Sequence, residues 1–433
     1  MQLLVGLTTS DLSSLRHKSV QISSAANIFA QFVPADKPTA PSTAAKFSPG
    51  NPCVISAAGN ELHLPNGQRS TLAVELSSRS PFQVDSLKRN GKRPEYRGNL
   101  LVFPDGDRVR IVLLTDLETY IEGVLQSEIP ATYELEAIKA QAVTARTYGL
   151  HPRINHADDL CNVCDSYLCC QYFAGRDAIS PKQKQAIAET KGQIVTYESK
   201  PILALFSSSA GGHTEDYDNC FSDPITGAFP PPPLPYLKGV AEGELPAGYT
   251  ADGVTEVAMR ELFNEASPQT YDGWASQFKW SVSISADLLE SHIHHTVETM
   301  LAQKEQAAFI TPPASKTFGH IKSFKVERRG VAGTAIELSV ETSTGAWKFE
   351  KELVIRSIFK IPELKLARLR SGRILFDHHY GNLGFLSSLQ VRGLGFGHGV
   401  GLQQTGAEGM ARKGKTYKEI TAHYFKGTEI STV

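Results

Sequence analysis

The sequence predicts an α+β fold with a helical core, flanking antiparallel β-rich segments and a helical insertion. Strand-like and helix-like patterns occur in blocks and do not alternate regularly, which argues against a doubly wound parallel sheet. Strand-like stretches joined by turn residues dominate the first 112 residues. Helical periodicity dominates the stretch that follows, and it returns between about residues 250 and 310.

Length and charge limit the classes of protein to which this chain could belong. A chain of 433 residues is long enough for two or three structural units. It carries 44 basic and 45 acidic residues, so its net charge of -1 gives no electrostatic argument for binding nucleic acid or an anionic membrane. No apolar run approaches the ~20 residues that a spanning helix needs. The start, MQLLVGLTTS, falls short of the apolar region of about 7–15 residues in a signal peptide. The protein therefore either stays inside or has lost an export signal.

The first 112 residues are predicted to be β-rich. Residues 1–33 alternate apolar and polar positions, which is typical of short strands. Residues 34–52 are rich in Pro, Ala, Ser, Thr and Lys and are expected to form an exposed loop. An Asn-Gly pair in NELHLPNGQ and an Asp-Gly pair in LLVFPDGDRVRIVLL then predict hairpin turns.

Two helices joined by a tight break are predicted in TDLETYIEGVLQSEIPATYELEAIKAQAVTARTYG, which begins at Thr115. Thr115 and Glu118 have the spacing of a capping box, and apolar residues follow at helical spacing. Pro130 ends the first helix because proline has no amide to donate and disfavours helical geometry at the preceding residue. The second helix is expected to begin near Leu135 and to stop at Gly149.

Glu128 lies at the corner between these helices. Rigid elements that meet at a corner commonly present reactive side chains. A Glu before Ile-Pro is more often a capping or solvated residue, but apolar helices on both sides would desolvate the carboxyl and raise its pKa, as a general acid requires. Arg146 stands among small residues on the second helix and is expected to pack between helices or form a buried hydrogen bond.

Four of the six cysteines crowd into ten residues, at positions Cys161, Cys164, Cys169 and Cys170. A CxxC pair followed by further thiols can bring four sulfurs to one tetrahedral zinc ion, and His156 lies close enough in sequence to replace one of them. Disulfide bonds in an exported protein are the alternative. Adjacent cysteines pair with each other only under strain, which favours the metal.

Two further segments are expected to face a ligand. In FSSSAGGHTED, residues 206–216, small hydroxyl residues precede a glycine pair that lets a backbone or a ligand approach closely. The Gly-x-Ser-x-Gly elbow of a serine nucleophile is absent. In VRGLGFGHGVGLQQTGAEGMARKG, residues 391–414, alternating glycines are expected along an extended segment that passes close to another part of the chain or a ligand. His398 stands in this segment, either as a structural residue or as a substrate contact.

The remaining patterns complete four predicted segments. Helices are predicted in SPKQKQAIAETKG, EVAMRELFNEA and ADLLESHIHHTVETMLAQKEQAA, and strands in QIVTYESKPILALFSSS, SFKVERRG, TAIELSVET and GAWKFEKELVI. The predicted segments are a β-rich region with its loop (1–112), a core with the cysteine cluster (113–240), a mainly helical insertion (241–315), and strands followed by the glycine-rich loop and C-terminal helices (316–433).

The motifs resemble the stage II sporulation protein D (SpoIID) family of the bacterial cell envelope, which includes amidase-enhancer-like proteins. The resemblance rests on LETYIEGVLQSEIPATYELEAIKAQAVTARTY, CDSYLCCQYFAG, FSSSAGGHTED with the later YLKGV, and GFGHGVGLQQTGAEGMARKGKTYKEITAHYFKGTEI. It implies a peptidoglycan lytic transglycosylase that cleaves MurNAc-GlcNAc bonds, in glycan stripped of stem peptides, and leaves 1,6-anhydro-muramic ends.

The resemblance also implies site residues. The family's catalytic acid falls on Glu128. Its glycan-binding positions fall on Arg146, Ser208, Ser209, His398, Gln403 and Gln404, with Ala210 in place of the more usual Ser or Cys. Some members bind zinc through a Cys/His cluster, which implies a structural zinc held by Cys164, Cys169 and Cys170 together with either Cys161 or His156. No cofactor is required for the chemistry.

A single acid suits this reaction. A glycoside hydrolase generally needs two carboxylates, whereas a lytic transglycosylase uses the sugar's own C6 hydroxyl as nucleophile, so one carboxyl can act first as acid and then as base. The alternative function is a non-catalytic glycan-binding module that enhances an amidase. The expected partners are peptidoglycan glycan strands and a cell-wall amidase, and the expected location is the extracytoplasmic envelope.

Overall fold

The computed structural model describes residues 1–33, 43–152, 154–175, 179–250, 253–381 and 384–433. Separate antiparallel sheets and groups of helices confirm the α+β class. Contacts divide the chain into two compact units, Met1–Leu203 with Ile430–Val433 and Ala204–Glu429. The four segments predicted from the sequence remain a prediction about domain boundaries.

The strands are numbered in chain order. The first sixteen are β1 (Gln2–Gly6), β2 (Arg16–His17), β3 (Ser19–Ser24), β4 (Ile28–Val33), β5 (Thr43–Phe47), β6 (Cys53–Ala58), β7 (Glu61–His63), β8 (Arg69–Ser70), β9 (Ala73–Ser78), β10 (Phe82–Val84), β11 (Glu95–Tyr96), β12 (Asn99–Asp105), β13 (Arg108–Asp116), β14 (Val163–Cys164), β15 (Gln193–Tyr197) and β16 (Lys200–Pro201). The others are β17 (Phe206–Ser207), β18 (Tyr249–Thr250), β19 (Gly253–Val254), β20 (Lys279–Ser285), β21 (Ile310–Thr311), β22 (Ile321–Arg329), β23 (Ala335–Thr342), β24 (Gly345–Glu350), β25 (Ile374–Tyr380), β26 (Leu386–Leu394), β27 (Leu402–Gln403) and β28 (Glu429–Thr432).

The α-helices are α1 (Leu117–Glu128), α2 (Leu135–Leu150), α3 (Pro181–Glu189), α4 (Tyr217–Cys220), α5 (Glu256–Asn264), α6 (Ala286–Leu301), α7 (Lys304–Ala307), α8 (Glu352–Ser357), α9 (Gln404–Arg412) and α10 (Tyr417–Tyr424). Short 3-10 helices cover Ile154–Asp159 and Pro362–Leu364. Among the described residues, no helix combines the length and the apolar character needed to cross a membrane.

The first unit contains two mainly antiparallel sheets. Their strand orders are β14-β1-β13-β12-β9-β4-β5, with β2 also paired to β13, and β11-β10-β3-β6-β7-β8. The predicted Asp-Gly hairpin is confirmed by β12 and β13, which pair down to Asp105 and Arg108. The predicted Asn-Gly hairpin is confirmed by β7 and β8, which close with His63 opposite Arg69.

The exposed loop predicted for residues 34–52 is wrong over part of its length. Residues 43–47 form β5, which pairs antiparallel with β4, and residues 34–42 lie outside the described residues. Composition did not predict this strand because β5 is stabilised by its pairing with β4, with Ile28 opposite Phe47. The local amino-acid composition carries no information about such a pairing.

The helix pair α1–α2 was predicted correctly, but its N-cap was displaced by one residue. The α1 N-cap is Asp116, whose carboxylate accepts hydrogen bonds from the Thr119 amide, at 3.0 Å, and the Thr119 hydroxyl. Thr115 is still part of β13, and its hydroxyl donates to the Arg97 carbonyl at 2.8 Å. The strand therefore continues through the residue that the spacing assigned to the cap.

Helix α2 is the central helix of the first unit. Every residue from Ala137 to Gly149 is buried, and five of these thirteen residues are Ala or Gly. A helix that is buried on all sides packs closely only if many of its side chains are small. The strands β16-β15-β28 form a third sheet of this unit, and β15 contacts α2.

The second unit contains its own sheets and core. Its strand orders are β17-β27, β18-β19, β20-β26-β25 and β21-β24-β23-β22. One core cluster joins α6 to the strands from β20 to β26 and includes Leu289, Phe349 and Val391. The predicted helices in EVAMRELFNEA and ADLLESHIHHTVETMLAQKEQAA are confirmed as α5 and α6, and the strands predicted in SFKVERRG and TAIELSVET are confirmed as β22 and β23. The strand predicted in GAWKFEKELVI is confirmed as β24 up to Glu350, but the prediction is wrong for its last residues, because the chain turns at Lys351, which has positive φ, and continues as helix α8.

Candidate functional site

The backbone at the Glu128 corner is fixed by the buried side-chain amide of Gln183. Helix α1 ends at Glu128, and the Ile129 amide still donates to the Leu125 carbonyl at 3.2 Å. The side chain of Gln183, on α3, donates to the carbonyls of Leu125 at 3.0 Å and Ile129 at 3.2 Å. The Leu125 carbonyl thus has a second donor in addition to the Ile129 amide, and the Ile129 carbonyl lies beyond the last helical turn, so Gln183 completes the hydrogen bonding where α1 ends.

The Glu128 carboxylate is oriented by a backbone amide. Its Oε1 accepts a hydrogen bond from the Tyr172 amide at 2.6 Å, and the side chain is half-buried. One residue earlier on α1, the Ser127 hydroxyl accepts from the Ala174 amide at 3.1 Å. The segment from Tyr172 to Ala174 therefore runs along the end of α1 and fixes the carboxylate.

Phe173, in the middle of this segment, packs its ring against α1. Its ring lies against Gly123 of α1, where any Cβ would overlap it, and it packs on Tyr120 with ring centroids 5.2 Å apart. A glycine inside a helix costs roughly 1 kcal/mol relative to alanine. The close contact with Phe173 explains why α1 carries one.

Gln171 connects the same segment to both helices. Its side-chain amide donates to the Tyr120 hydroxyl of α1 at 2.8 Å and to the Ala145 carbonyl of α2 at 3.1 Å. Gln171 is buried, so these bonds are shielded from water. The residues next to the cysteine cluster are thus anchored to the helix pair that presents Glu128.

Arg146 lies at the other end of α1. It is fully buried and forms a bidentate pair with Glu118, at 2.8 and 3.0 Å, and its guanidinium also donates to the Gln193 carbonyl at 2.9 Å. Ten residues separate Glu118 from Glu128, which corresponds to about 15 Å along the helix. Arg146 therefore ties α1, α2 and β15 together, as its expected packing role requires.

Four of the five predicted metal-binding residues come together. The ligand atoms of His156, Cys164, Cys169 and Cys170 all lie within 4.8 Å of one another. The His156 Nε2 is 3.2 Å from the Cys170 sulfur and 3.4 Å from the Cys169 sulfur, and the two sulfurs are 3.9 Å apart. Zinc–sulfur bonds of about 2.3 Å give tetrahedron edges of about 3.8 Å, so the donor set fits a tetrahedral zinc ion.

The surroundings of the cluster support the same conclusion. The second ring nitrogen of His156 lies 3.1 Å from the Asp159 carboxylate, an arrangement that commonly orients metal-binding histidines. Cys161 interacts with His156 but lies outside the group of four. All six cysteines are within the described residues, and in this structure each is a free thiol.

In the second unit the glycine-rich loop lies against the serine segment. β17 pairs in parallel with β27, and the Ser209 amide and carbonyl both bond to the backbone of Phe396. A Cβ at Gly395 would come within 2.6 Å of the Ser209 carbonyl oxygen. The predicted close approach is confirmed, but the predicted extended conformation is wrong, because residues 395, 397, 399 and 401 all have positive φ. Glycine permits this conformation without strain.

The three serines of this segment have different environments. The Ser207 hydroxyl donates to the side chain of Gln403 at 2.8 Å, and the Ser209 hydroxyl donates to Asp272 at 3.0 Å. Ser208 is half-buried, and its hydroxyl has no hydrogen-bond partner in the part of the chain that the structure describes. Of the three hydroxyls, that of Ser208 is the one left for a ligand.

Gln403 and Gln404 are both buried where α9 begins. Gln403 is fully buried, and its amide donates to the Gly401 carbonyl at 3.0 Å while its carbonyl accepts from Ser207. Gln404 is the first residue of α9 and is 8% exposed. Gln403 therefore holds the glycine-rich loop against β17.

Asp272 is a buried residue of this region that sequence reasoning missed. Its carboxylate accepts from the amides of Gly211, at 2.5 Å, and Gly212, at 3.3 Å, and from the hydroxyls of Ser209 and Thr270. Burial raises the pKa of Asp272, and these hydrogen bonds and the nearby Arg373 oppose that rise. Its one sequence signal is an Asp before Gly, which is common in turns.

His398 is half-buried and held by the loop's own backbone. Its Nδ1 accepts from the Val400 amide at 3.0 Å, and its ring meets the Phe221 ring edge to face at 5.2 Å between centroids. Burial, followed by the positive charge of Arg356, lowers the pKa of His398 to about 4. The imidazole is therefore neutral at pH 7, and because its Nδ1 accepts from the Val400 amide, its proton lies on Nε2, which donates to the Phe206 carbonyl.

Comparison with protein families gives two matches. Residues 105–197 match the family described as "Stage II sporulation protein" (SpoIID), and residues 224–401 match a "Domain of unknown function" (DUF8618). The first match covers α1, α2 and the cysteine cluster.

Three curated proteins are similar over most of the chain. An uncharacterized protein of Brachyspira hyodysenteriae is 26% identical over 338 residues, which cover 78% of this chain and 72% of that protein. "Amidase enhancer" of Bacillus subtilis is 27% identical over 315 residues, covering 72% of this chain and 40% of that protein. "Stage II sporulation protein D" of Bacillus subtilis is 26% identical over 335 residues, covering 73% of this chain and 74% of that protein.

Proposed function

Because the chain belongs to the SpoIID family, we propose that it is a peptidoglycan lytic transglycosylase with Glu128 as its single general acid and base. A function connected with the cell wall follows from the family. The specific reaction is supported by one observation above all: a partly exposed carboxylate at a rigid corner, oriented by the Tyr172 amide at 2.6 Å.

One carboxyl completes the reaction without external water. Protonated Glu128 donates its proton to the oxygen of the MurNAc-GlcNAc bond as the bond from C1 to that oxygen breaks. The resulting carboxylate then removes the proton of the muramic C6 hydroxyl as that oxygen bonds to C1. The products are a GlcNAc hydroxyl end and a 1,6-anhydro-muramic end, and Glu128 regains its proton.

Neighbouring acids of the first unit are either paired with an arginine or face away from Glu128, which supports a single-acid mechanism. Glu118 is paired with Arg146 at 2.8 Å. Asp165 is fully buried and paired with Arg89 at 2.6 Å. Glu122 lies six residues before Glu128, which rotates its side chain by about 240° around α1 and away from the same face.

His156, Cys164, Cys169 and Cys170 would hold a structural zinc ion, which would stabilise the fold and contribute no chemical step. The two residues after Cys170 connect the metal-binding cluster to Glu128. Gln171 bonds to α1 and α2, and the Tyr172 amide bonds to Glu128. Holding the cysteines in place therefore also positions the catalytic carboxylate.

Glycan contacts in the second unit are proposed for Ser208 and His398. The Ser208 hydroxyl has no partner among the described residues, and His398 is neutral at pH 7 because its pKa is about 4. The Ser208 hydroxyl can therefore bond to a sugar hydroxyl or amide group. The His398 nitrogens bond to the backbone of Val400 and Phe206, so its ring is proposed as a packing contact for the glycan. Arg146 is paired with Glu118 in the first unit, and Ser209 and Gln403 bond to Asp272 and Ser207 in the second, so we assign each of the three to positioning the backbone of its own unit.

A non-catalytic glycan-binding function is the second candidate. It is favoured by the similarity to a protein named "Amidase enhancer", which covers 72% of this chain. In that case Glu128 would contact glycan without cleaving it, and the effect on the cell wall would require a separate amidase.

The deciding experiment is digestion of glycan strands without stem peptides, followed by mass spectrometry of the products. We expect the wild type to release 1,6-anhydro-muramic ends and Glu128→Gln to be slower by about 10³-fold, within the range for loss of a general acid. Glu122→Gln, on the same helix, is the matched control and should cleave at the wild-type rate. A wild type that binds these strands but yields no anhydro product would establish the second candidate instead.

A further inference from the structure

A patch of two aromatic and two cationic side chains lies on the second unit. The Arg412 guanidinium carbon is 3.8 Å from the centroid of the Trp274 ring, and the Lys413 ammonium is 4.9 Å from that of Tyr271. Trp274 remains 44% exposed, and the Arg412 side chain 46%. We call these four residues the aromatic–cation patch.

The patch is built on tightly packed backbone. Tyr271 and Trp274 flank Asp272, the buried carboxylate that holds the glycine pair of the serine segment. On the other side, α9 touches the Tyr271 carbonyl at Gly409, where any Cβ would overlap the oxygen. The end of α9, which carries Arg412, is therefore fixed against the turn that carries Trp274.

Hydrogen bonds through Thr405 connect the patch to Ser208. The Trp274 indole N–H donates to the Thr405 carbonyl at 3.3 Å. The Thr405 amide and hydroxyl both donate to the Ser208 carbonyl, at 2.9 and 3.0 Å. The exposed indole thus adjoins the residue whose hydroxyl has no partner among the described residues.

Arg412 keeps donors for an anion. Its Nε bonds to the Oε1 of Glu408, a residue that is 1% exposed, at 2.8 Å. The two terminal nitrogens have no partner in the described ranges, and they form the end of the guanidinium that binds carboxylates in pairs. Lys413, which is exposed beside it, adds a second positive charge.

We propose that the aromatic–cation patch is a glycan subsite that binds a muramic acid residue whose lactyl group is a free carboxylate. The indole surface of Trp274 that Arg412 leaves exposed packs on the C–H face of the pyranose ring, and Arg412 binds the carboxylate through its terminal nitrogens. The inference rests on the proposed function and deepens it. It gives a reason for preferring glycan without stem peptides, because a peptide amide removes the charge that Arg412 recognises.

The test measures binding in the Glu128→Gln background, so that cleavage does not interfere. The probes are glycan strands without stem peptides, the same strands with their lactyl carboxylates amidated, and neutral chito-oligosaccharides. Trp274→Ala should weaken binding of all three by about tenfold, since stacking acts on any sugar. Arg412→Gln should weaken binding of the carboxylate strands by about tenfold and leave the other two unchanged.

Matched controls separate recognition from folding. Arg328 is 45% exposed and bonds to Glu337 as Arg412 bonds to Glu408, and Tyr380 is a 55% exposed aromatic. Arg328→Gln and Tyr380→Ala should therefore leave binding unchanged. Trp274→Phe keeps a ring and should retain most of the affinity, which identifies any loss in Trp274→Ala that comes from misfolding.

The outcomes separate this inference from the proposed reaction. Equal binding of carboxylate and amidated strands by Glu128→Gln, or unchanged binding in Arg412→Gln, would overturn the subsite while leaving cleavage by Glu128 intact. If Glu128→Gln bound none of the three glycans, the subsite would be overturned together with glycan recognition. Cleavage that fails in the wild type while the expected binding differences persist would overturn the reaction alone.

Discussion

The corner at Glu128 and the serine turn of residues 206–212 carry the two groups of motif residues, and they use their polar groups in different ways. At the corner, the Tyr172 amide holds one carboxylate that stays partly exposed. In the turn, the Ser207 and Ser209 hydroxyls donate to Gln403 and Asp272, which leaves the Ser208 hydroxyl available for a ligand. Polar residues of a motif can therefore be required for folding without contacting a ligand.

The largest expected effect is loss of stability in the turn. Asp272→Ala removes the acceptor of two buried amides and two hydroxyls. We expect it to lower the free energy of unfolding by about 3–5 kcal/mol, measured by chemical denaturation. Asp218→Ala is the control, because Asp218 pairs with a Lys238 that is 41% exposed, and should cost under about 1 kcal/mol. Equal effects would refute the anchoring role of Asp272.

At the corner, loss of a metal ligand should reduce cleavage and stability together. Cys170→Ser should lose stoichiometric zinc and lower the cleavage rate by about tenfold, since Tyr172 is two residues away and bonds to Glu128. Cys161→Ser, outside the group of four, should retain the metal and the rate. Metal content by elemental analysis and the rate on glycan strands check both. Zinc retained by Cys170→Ser but lost from Cys161→Ser would show that the ligand set is different.

Adjacent serines allow the sharpest contrast within the turn. Ser209→Ala leaves Asp272 with one partner fewer and should lower the free energy of unfolding by about 1–2 kcal/mol. Ser208→Ala should change stability by less than about 0.5 kcal/mol and weaken glycan binding several-fold. Thermal unfolding and binding of Glu128→Gln-based double variants measure the two effects. The reverse pattern would mean that Ser208 is structural.

The smallest expected effect is the pH dependence contributed by His398. Its pKa is lowered from 6.5 to about 4 in the folded protein, so the unfolded chain binds more protons between these values. Stability should therefore fall as pH falls from 6.5 to 4, and His398→Gln should reduce this slope. Melting temperatures over that range measure it. An unchanged slope would show that His398 is protonated alike in both states.

Local periodicity accounts for the parts of the fold that the sequence predicted. The helices α1, α2, α5 and α6 and the Asp-Gly hairpin follow from residue spacing and turn chemistry. The sequence predictions were wrong where contact with a neighbouring element determines the local backbone structure. β5 depends on β4 for its hydrogen bonds, the α1 cap moved because β13 continues, and positive φ in the glycine-rich loop follows from its contact with the serine segment.

The same distinction applies to the candidate site. Glu128 was identified because Pro130 places it at a helix corner, which is a local feature. Its partner, the Tyr172 amide, is 44 residues away, and Asp272 is 63 residues from Ser209. No spacing rule connects such pairs, because only the fold brings them together. The cysteine cluster was predicted in part. Its spacing predicted a metal site, but only the fold shows that His156, and not Cys161, lies with the other three residues.

The central claim is tested most directly by identifying the oxygen atom that bonds to the muramic C1 during cleavage. Glycan strands without stem peptides are digested by the wild type in water enriched in oxygen-18, and the muramic ends are analysed by mass spectrometry. The single-acid mechanism predicts anhydro ends without the heavy isotope, since the C6 oxygen of the same sugar forms the bond. Reducing ends that carry oxygen-18 would contradict it, because they require a water molecule and a second carboxylate to activate it.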